Sequence, residues 1–162
     1  MAGKKIQTEQ TITNRIMRHI ARILTAALFV AFTGSAIAAV AVKVGPRKGR
    51  ILELENQQAE FFIEKDRTIS IAFFDAAMKA QPAAAQVVTA TAEVPTGKLK
   101  LEFEKKGELL VSKTPLPEGD NYTIVVQVKT SAEAKSKNFR VPFNMVICKE
   151  CGNPEYACTC DH

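Results

Sequence analysis

The segment Leu99-Lys-Leu-Glu-Phe-Glu104 alternates apolar and charged residues without exception. In an extended chain successive side chains point to opposite faces, so the three apolar residues would share one face and the charges the other. The segment Ile124-Val-Val-Gln-Val-Lys129 ends in the same alternation. Both patterns predict strands with one face on a core and the other face in water.

Segments of similar length and composition occur on both sides of these two, and polar breaks such as Glu64-Lys-Asp-Arg67 separate them. The alanine-rich segment 75–85 contains Pro82, and 131–136 is about one turn long, so we interpret both as loops rather than helices. The predicted strands are 51–55, 59–64, 68–74, 86–94, 98–105, 109–113, 122–130 and 137–146.

Seven or eight antiparallel strands in about a hundred residues predict an all-β fold, an immunoglobulin-like antiparallel β-sandwich over residues 50–147. Residues 43–49 would be a linker to it, because they combine glycines, a proline and basic residues. The chain has no tryptophan and no cysteine before Cys148, so apolar strand residues must supply the stability. The predicted core consists of Phe61, Ile63, Ile69, Ile71, Phe73, Val88, Leu99, Leu101, Phe103, Leu110, Ile124, Val126, Val128, Phe139, Val141 and Phe143.

The N-terminal segment has the features of an export signal. Basic residues up to Arg22 precede the uncharged run 23–42, whose apolar bulk lies in its first ten positions. Small residues follow, and Ala36-Ile37-Ala38 is typical of a signal peptidase site, so we expect cleavage after Ala38 or Ala39. The alternative is that residues 1–42 remain as an inner-membrane anchor through 23–42. In both cases the rest of the chain is exported, and we expect it in the periplasm.

The positive charge of the chain does not indicate a nucleic-acid partner. Of the formal net charge of +5, four units fall within residues 1–38, which contain five basic residues and one acidic residue. From residue 39 onward 17 basic residues face 16 acidic ones, and no basic stripe with interleaved aromatic residues occurs. We therefore expect no binding to DNA or RNA.

The residues also argue against an enzyme. The exported part contains a single histidine, His162, at the C-terminus, so it cannot supply the base of a hydrolase triad. Carboxylate pairs such as Glu102 and Glu104 stand two apart on predicted strands, which places them on a solvated face beside lysines. No glycine-rich phosphate loop or dinucleotide fingerprint is present.

The C-terminal tail, residues 148–162, holds all four cysteines of the chain and a histidine. Cys148-Lys-Glu-Cys151 is followed by Gly-Asn-Pro, whose turn-forming residues would return the chain toward this first pair of thiols. Thiolates bind soft metal ions strongly, so the tail is predicted to bind zinc or copper(I). The candidate ligands are Cys148, Cys151, Cys158, Cys160 and His162.

Two alternatives remain for these cysteines. In an oxidising compartment four closely spaced cysteines commonly form two disulfides, and the protein would then be a structural or interaction module. A thiol–disulfide enzyme is the third interpretation, although a reactive C-x-x-C motif normally begins a helix and Gly152 and Pro154 favour a turn here.

Residues 49–130 resemble small exported immunoglobulin-like domains that accompany bacterial heavy-metal efflux adaptors, the membrane-fusion proteins. The resemblance rests on Gly49-Arg-Ile-Leu-Glu, on Ala59-Glu-Phe-Phe, on the Pro115-Leu-Pro-Glu-Gly119 turn and on Tyr122-Thr-Ile-Val-Val. It implies a Gram-negative periplasmic setting and, as a partner, a heavy-metal efflux adaptor or another envelope protein. It brings no catalytic residue, and the cysteine tail lies outside it.

Overall fold

The computed structural model describes residues 41–160 of the 162-residue chain. Its elements there are nine strands and one 3₁₀ turn: β1 (Arg50–Glu53), β2 (Gln57–Ile63), β3 (Ile69–Asp75), β4 (Ala80–Gln81), β5 (Val87–Val94), β6 (Gly97–Lys106), β7 (Leu109–Ser112), β8 (Tyr122–Lys129), β9 (Lys137–Phe143) and the 3₁₀ turn Glu155–Ala157. The predicted signal or anchor segment lies outside the described residues. Among residues 41–160 no helix has the length and apolar character needed to cross a membrane.

All strand pairs are antiparallel, and the strand order is β1-β2-β3-β7-β6-β5-β8-β9, with the short β4 paired to β3. Strand β6 joins the two halves of this sheet, because its residues 97–102 pair with β5 and its residues 103–106 pair with β7. The prediction of an all-β antiparallel fold is confirmed. The order is continuous through β6, so an immunoglobulin-like division into two sheets stays a prediction.

One hydrophobic core lies under both halves of the sheet, and it contains most of the residues predicted for it. Phe103, Leu110 and Phe139 are partly buried at its margin. Leu99 was predicted to be buried, and this prediction is wrong, since its side chain is 41% exposed. Leu99 lies two residues after the start of β6, beside the β5–β6 turn, where alternation continues but little packs over the strand end.

Strand β9 is shorter than the sequence predicted and ends at Phe143 instead of residue 146. The chain leaves the sheet there because the carbonyl of Val146 accepts a hydrogen bond from the backbone N–H of Glu155. Val146 and its neighbour Ile147 are more than half exposed. The segment 75–85, predicted to be a loop, contains the last residue of β3 and the two residues of β4.

Residues 43–49, expected to be a linker, form a tight turn bound to the outer face of β2. Oε1 of Glu60, a fully buried residue, accepts hydrogen bonds from the backbone N–H groups of Arg47 at 2.8 Å and Gly49 at 2.9 Å. Among the described residues Glu60 Oε2 has no hydrogen-bond partner. A Cβ atom at Gly45 would lie 2.4 Å from the Glu60 carboxyl carbon, so the turn tolerates no side chain there.

Removing the side chain of Leu101 should cost far more stability than the same change at Leu99, which shares its strand and its chemistry. We expect Leu101→Ala to lower the free energy of unfolding by about 3 kcal/mol, because a cavity forms in a packed core. Leu99→Ala should cost less than about 1 kcal/mol, because less area leaves contact. Urea denaturation of both variants measures this, and equal losses would contradict the described packing.

The Glu60 carboxylate should stabilise the fold mainly as an acceptor. Glu60→Ala would leave the N–H groups of Arg47 and Gly49 without their partner, and we expect the free energy of unfolding to fall by about 3 kcal/mol. Glu60→Gln keeps an acceptor oxygen and should cost about 1 kcal/mol or less. Denaturant titration decides between them. A Gln variant as unstable as the Ala variant would show that the two hydrogen bonds are not the reason.

Candidate metal centre

The first two cysteines lie at the tip of a short hairpin formed by residues 146–155. Its two arms are joined by the hydrogen bonds from Glu155 N–H to Val146 O and from Cys148 N–H to Asn153 O, both 2.8 Å long. The turn between them ends at Gly152, whose φ of 68° lies in the left-handed region that favours glycine, and its N–H donates to Cys148 O at 2.9 Å. This turn places Cys148 and Cys151 on one side of the tip.

The 3₁₀ turn Glu155–Ala157 then reverses the chain and returns the second pair of cysteines to this tip. Pro154 precedes the turn with a φ of −59°, which suits the start of a helical turn. Cys158 N–H donates to Glu155 O at 3.1 Å, and the chain leaves the turn in an extended conformation. Cys158 and Cys160 are thereby brought opposite Cys148 and Cys151.

The four sulfur atoms form one compact group, as the sequence predicted. All four Sγ atoms lie within 4.8 Å of one another. The Sγ atoms of Cys151 and Cys158 are 3.6 Å apart, and those of Cys148 and Cys160 are 3.9 Å apart. These distances are far longer than the roughly 2.05 Å of a disulfide bond. The sulfurs are therefore gathered around a shared centre rather than bonded in pairs.

The spacing of the sulfurs is compatible with a tetrahedral metal ion. Four thiolates bound to zinc at about 2.3 Å would stand roughly 3.8 Å from one another. The separations of 3.6 and 3.9 Å lie on either side of that value. Cys148 and Cys158 are buried, whereas Cys151 and Cys160 are half-buried, so an ion at this centre would have protein on one side and water close to the other.

Backbone hydrogen bonds prepare one sulfur of the group for ionisation. The N–H groups of Thr159 and Asn153 donate to Cys151 Sγ and lower the pKa of this thiol to about 6. Loss of hydration, together with the neighbouring thiols, raises the pKa of Cys160 above its usual range. A bound cation would replace the proton that burial and the neighbouring thiols keep on Cys160.

The pKa of Cys158 is set by two opposing effects. The backbone N–H of Cys160 donates to Cys158 Sγ at 3.4 Å and by itself favours the thiolate. Burial and the hydrogen bonds with the neighbouring thiols outweigh it, so the pKa of Cys158 is raised. In the metal-free state Cys151 is therefore expected to be a thiolate, whereas Cys158 and Cys160 keep their protons.

Tyr156 attaches the cysteine-rich segment to the domain. Its side chain is 1% exposed and its ring packs edge-on against Phe61 with a centroid separation of 5.8 Å. Its hydroxyl accepts a hydrogen bond at 3.3 Å from the backbone N–H of Ile63. Strand β1 pairs with β2 only as far as Phe61, so the tyrosine takes the place of the missing strand at Ile63. Burial raises the pKa of Tyr156, which keeps the hydroxyl protonated.

The spacing of the cysteines predicted their grouping, but nothing in that spacing identified Tyr156 as the residue that attaches them to the core. His162, the fifth predicted ligand, lies outside the described residues. Tyr156 and Ala157 belong to the hydrophobic core, although they were assigned to a separate hydrophilic tail. They are adjacent apolar residues in a segment that is otherwise polar apart from its cysteines, and this pair was the one feature that could have indicated docking.

Comparison with known proteins gives no relative: no family model matches the chain, and no curated protein or solved structure matches it. The candidate site is therefore interpreted from its own geometry and chemistry.

The lowered pKa of Cys151 should make it the most reactive thiol of the reduced, metal-free protein. A thiolate is the reacting species, so its alkylation rate by iodoacetamide should rise through a midpoint near pH 6 and level off about one pH unit higher. Cys158 and Cys160, whose pKa values are raised, should react only at higher pH. Quenched labelling with peptide mass mapping measures each site, and Cys151→Ser is the control that removes the early phase. A midpoint near the ordinary thiol value of about 8.5 would contradict the described hydrogen bonds.

Proposed function

We propose that the protein is an exported, non-catalytic protein that binds one zinc ion through Cys148, Cys151, Cys158 and Cys160. The observation that supports this most is the convergence of four thiols, with all sulfur atoms within 4.8 Å of one another. Thiolate ligands from two tight turns are typical of structural zinc sites, in which the protein fills all four coordination positions. His162 is a fifth possible donor from the sequence.

Zinc fits this donor set better than copper(I). Copper(I) favours two or three thiolates, whereas zinc favours four at the corners of a tetrahedron. The separations of 3.6 and 3.9 Å agree with the edges of a tetrahedron around zinc. Zinc is therefore the proposed cofactor, and copper(I) is the second choice.

The proposed ion would be retained rather than passed on quickly. Cys148 and Cys158 are 4% and 9% exposed, so an acceptor thiol could approach only from the side of Cys151 and Cys160. In the sequence Tyr156 lies between the two pairs of cysteines, and its side chain is part of the core. This favours metal sensing or a metal-dependent fold over rapid delivery.

The setting of this function comes from the sequence alone. Export to the periplasm rests on the features of residues 1–42, and a role beside a heavy-metal efflux adaptor rests on the resemblance of residues 49–130. We include an immunoglobulin-like sandwich in the proposal because the two halves of the sheet cover one core.

A disulfide-stapled interaction module is the second candidate function. The separations of 3.9 and 3.6 Å are compatible with pairing Cys148 with Cys160 and Cys151 with Cys158. Small shifts could bring these sulfurs together in an oxidising compartment. The tail would then be closed by two covalent links and would bind no metal.

Metal content and thiol state, measured on one sample of purified protein, test the proposal. We expect about one zinc per chain by elemental mass spectrometry, with four thiols that react only after the metal is removed by a chelator. Cys158→Ser should lose most of the zinc. Thr159→Ser, one residue away and outside the ligand set, should retain it.

Removal of zinc should also release the tail from the core. We expect a chelator to speed amide hydrogen exchange at Ile63 and Ala157, because Tyr156 would no longer be held in place. Metal-free protein whose intact mass shows two disulfides would overturn the zinc proposal and support the stapled module.

A further inference from the structure

Strand β9 ends the strand order and pairs only with β8, so its outer edge has no partner strand among residues 41–160. Such an edge presents a row of unpaired backbone N–H and C=O groups. The strand contains Pro142, a residue that strands accept mainly at edges. A groove of about 370 Å³ lies along this edge and separates it from β1 and from residues 41–43.

The opposite wall of the groove is already covered in part. The backbone N–H of Ile51 donates to Lys43 O at 2.8 Å, and Val44 forms a bridge with Arg50. These bonds occupy the outer edge of β1 at its first two residues. The hydrogen-bonding groups that the groove leaves open therefore belong mainly to β9.

Arg50 points into this groove from the core side. It pairs across β1 and β2 with the fully buried Phe61, and residues directly opposite one another share a face of the sheet. Its guanidinium is half-buried and has no side-chain hydrogen bond or ion pair with any residue between 41 and 160. Loss of hydration lowers the pKa of Arg50, and no carboxylate compensates for it.

None of the other charged residues that line the groove forms an ion pair with Arg50. Glu53 is the single carboxylate in the lining, and it already pairs with Lys43. Arg140 pairs with Glu93 at 2.6 Å, whereas Lys137 lies over the ring of Phe139 at 5.6 Å. The groove thus combines an open strand edge, apolar walls and an excess of positive charge.

We propose that this groove binds an extended acidic segment of a partner protein, which adds as a strand to the edge of β9. The backbone of the segment would pair with β9, and a carboxylate on it would form a bidentate contact with Arg50. Lys137 would attract a second acidic side chain. The site is separate from the cysteine centre and does not depend on a bound metal.

An inward-facing charge on an edge strand also discourages aggregation, so protection of the edge is the alternative role for Arg50. Synthetic peptides distinguish the two roles, because only the proposed one predicts peptide binding. The probe is a fluorescein-labelled octapeptide of alternating valine and glutamate, titrated into the purified protein and followed by anisotropy. We expect saturable binding and slower hydrogen exchange of β9 amides. The peptide with lysine in place of glutamate should bind at least about tenfold more weakly. A glutamate peptide N-methylated at alternate residues should lose binding, because it cannot pair with a strand edge.

A matched pair of variants tests the contact with Arg50. Arg50→Gln should weaken the glutamate peptide about tenfold, since one charged hydrogen-bonded contact is lost. Lys105→Gln removes one charge from an exposed position of β6 outside the groove and should change binding less than about twofold. Near-ultraviolet circular dichroism confirms that both variants are folded.

Three results would overturn the proposal: no saturable binding of the glutamate peptide up to about 1 mM, equal binding of the N-methylated peptide, or equal effects of the two substitutions. Equal effects of the two substitutions would show that Arg50 does not contact the peptide and only protects the strand edge from aggregation.

Discussion

A sheet that does not close must protect its two edge strands, and this constraint organises the whole domain. In this protein the edges are β1 and β9, and different parts of the chain meet them. Lys43 and Val44 cover the start of β1, and the 3₁₀ turn Glu155–Ala157 contacts both edge strands. The groove beside Arg50 is the part of this opening that no described residue fills. The 3₁₀ turn that carries Tyr156 thus covers one part of the opening between β1 and β9, and the proposed peptide site is another part of it.

The position of the cysteine centre follows from that arrangement. Because Tyr156 fills a core position between the two cysteine pairs, the sulfurs can converge only where the turn docks on Phe61 and Ile63. Docking of Tyr156 and the proposed metal binding would therefore stabilise each other, since each would reduce the conformational freedom that the other must overcome. Four thiols on a detached tail would have to supply this ordering from metal binding alone.

Alternating sequence predicted the strands and most of the core, because the period of a strand is a local property. The alternation wrongly predicted that Leu99 is buried. Burial depends on which residues pack over a side chain, and the pattern within one strand does not show this. The cysteine group was predictable from spacing, whereas its anchor Tyr156 was not. Glu60 occupies an outward position on β2 and is nevertheless fully buried, because the 43–49 turn folds back over it. Contacts of this kind join segments whose separation in sequence gives no pattern.

The packing of that turn also constrains how the sequence could change over time. Gly45 and Gly49 lie against the side chain of Glu60, and a Cβ at either position would lie within 2.8 Å of it or closer. A larger residue at Gly45 would thus be tolerated only together with a shorter residue at position 60. That shorter residue would in turn leave the N–H groups of Arg47 and Gly49 without their hydrogen-bond acceptor. Positions 45 and 60 are therefore coupled, whereas a Cβ at Gly49 would also lie 2.5 Å from the backbone oxygen of Phe61, a contact that no change at position 60 relieves.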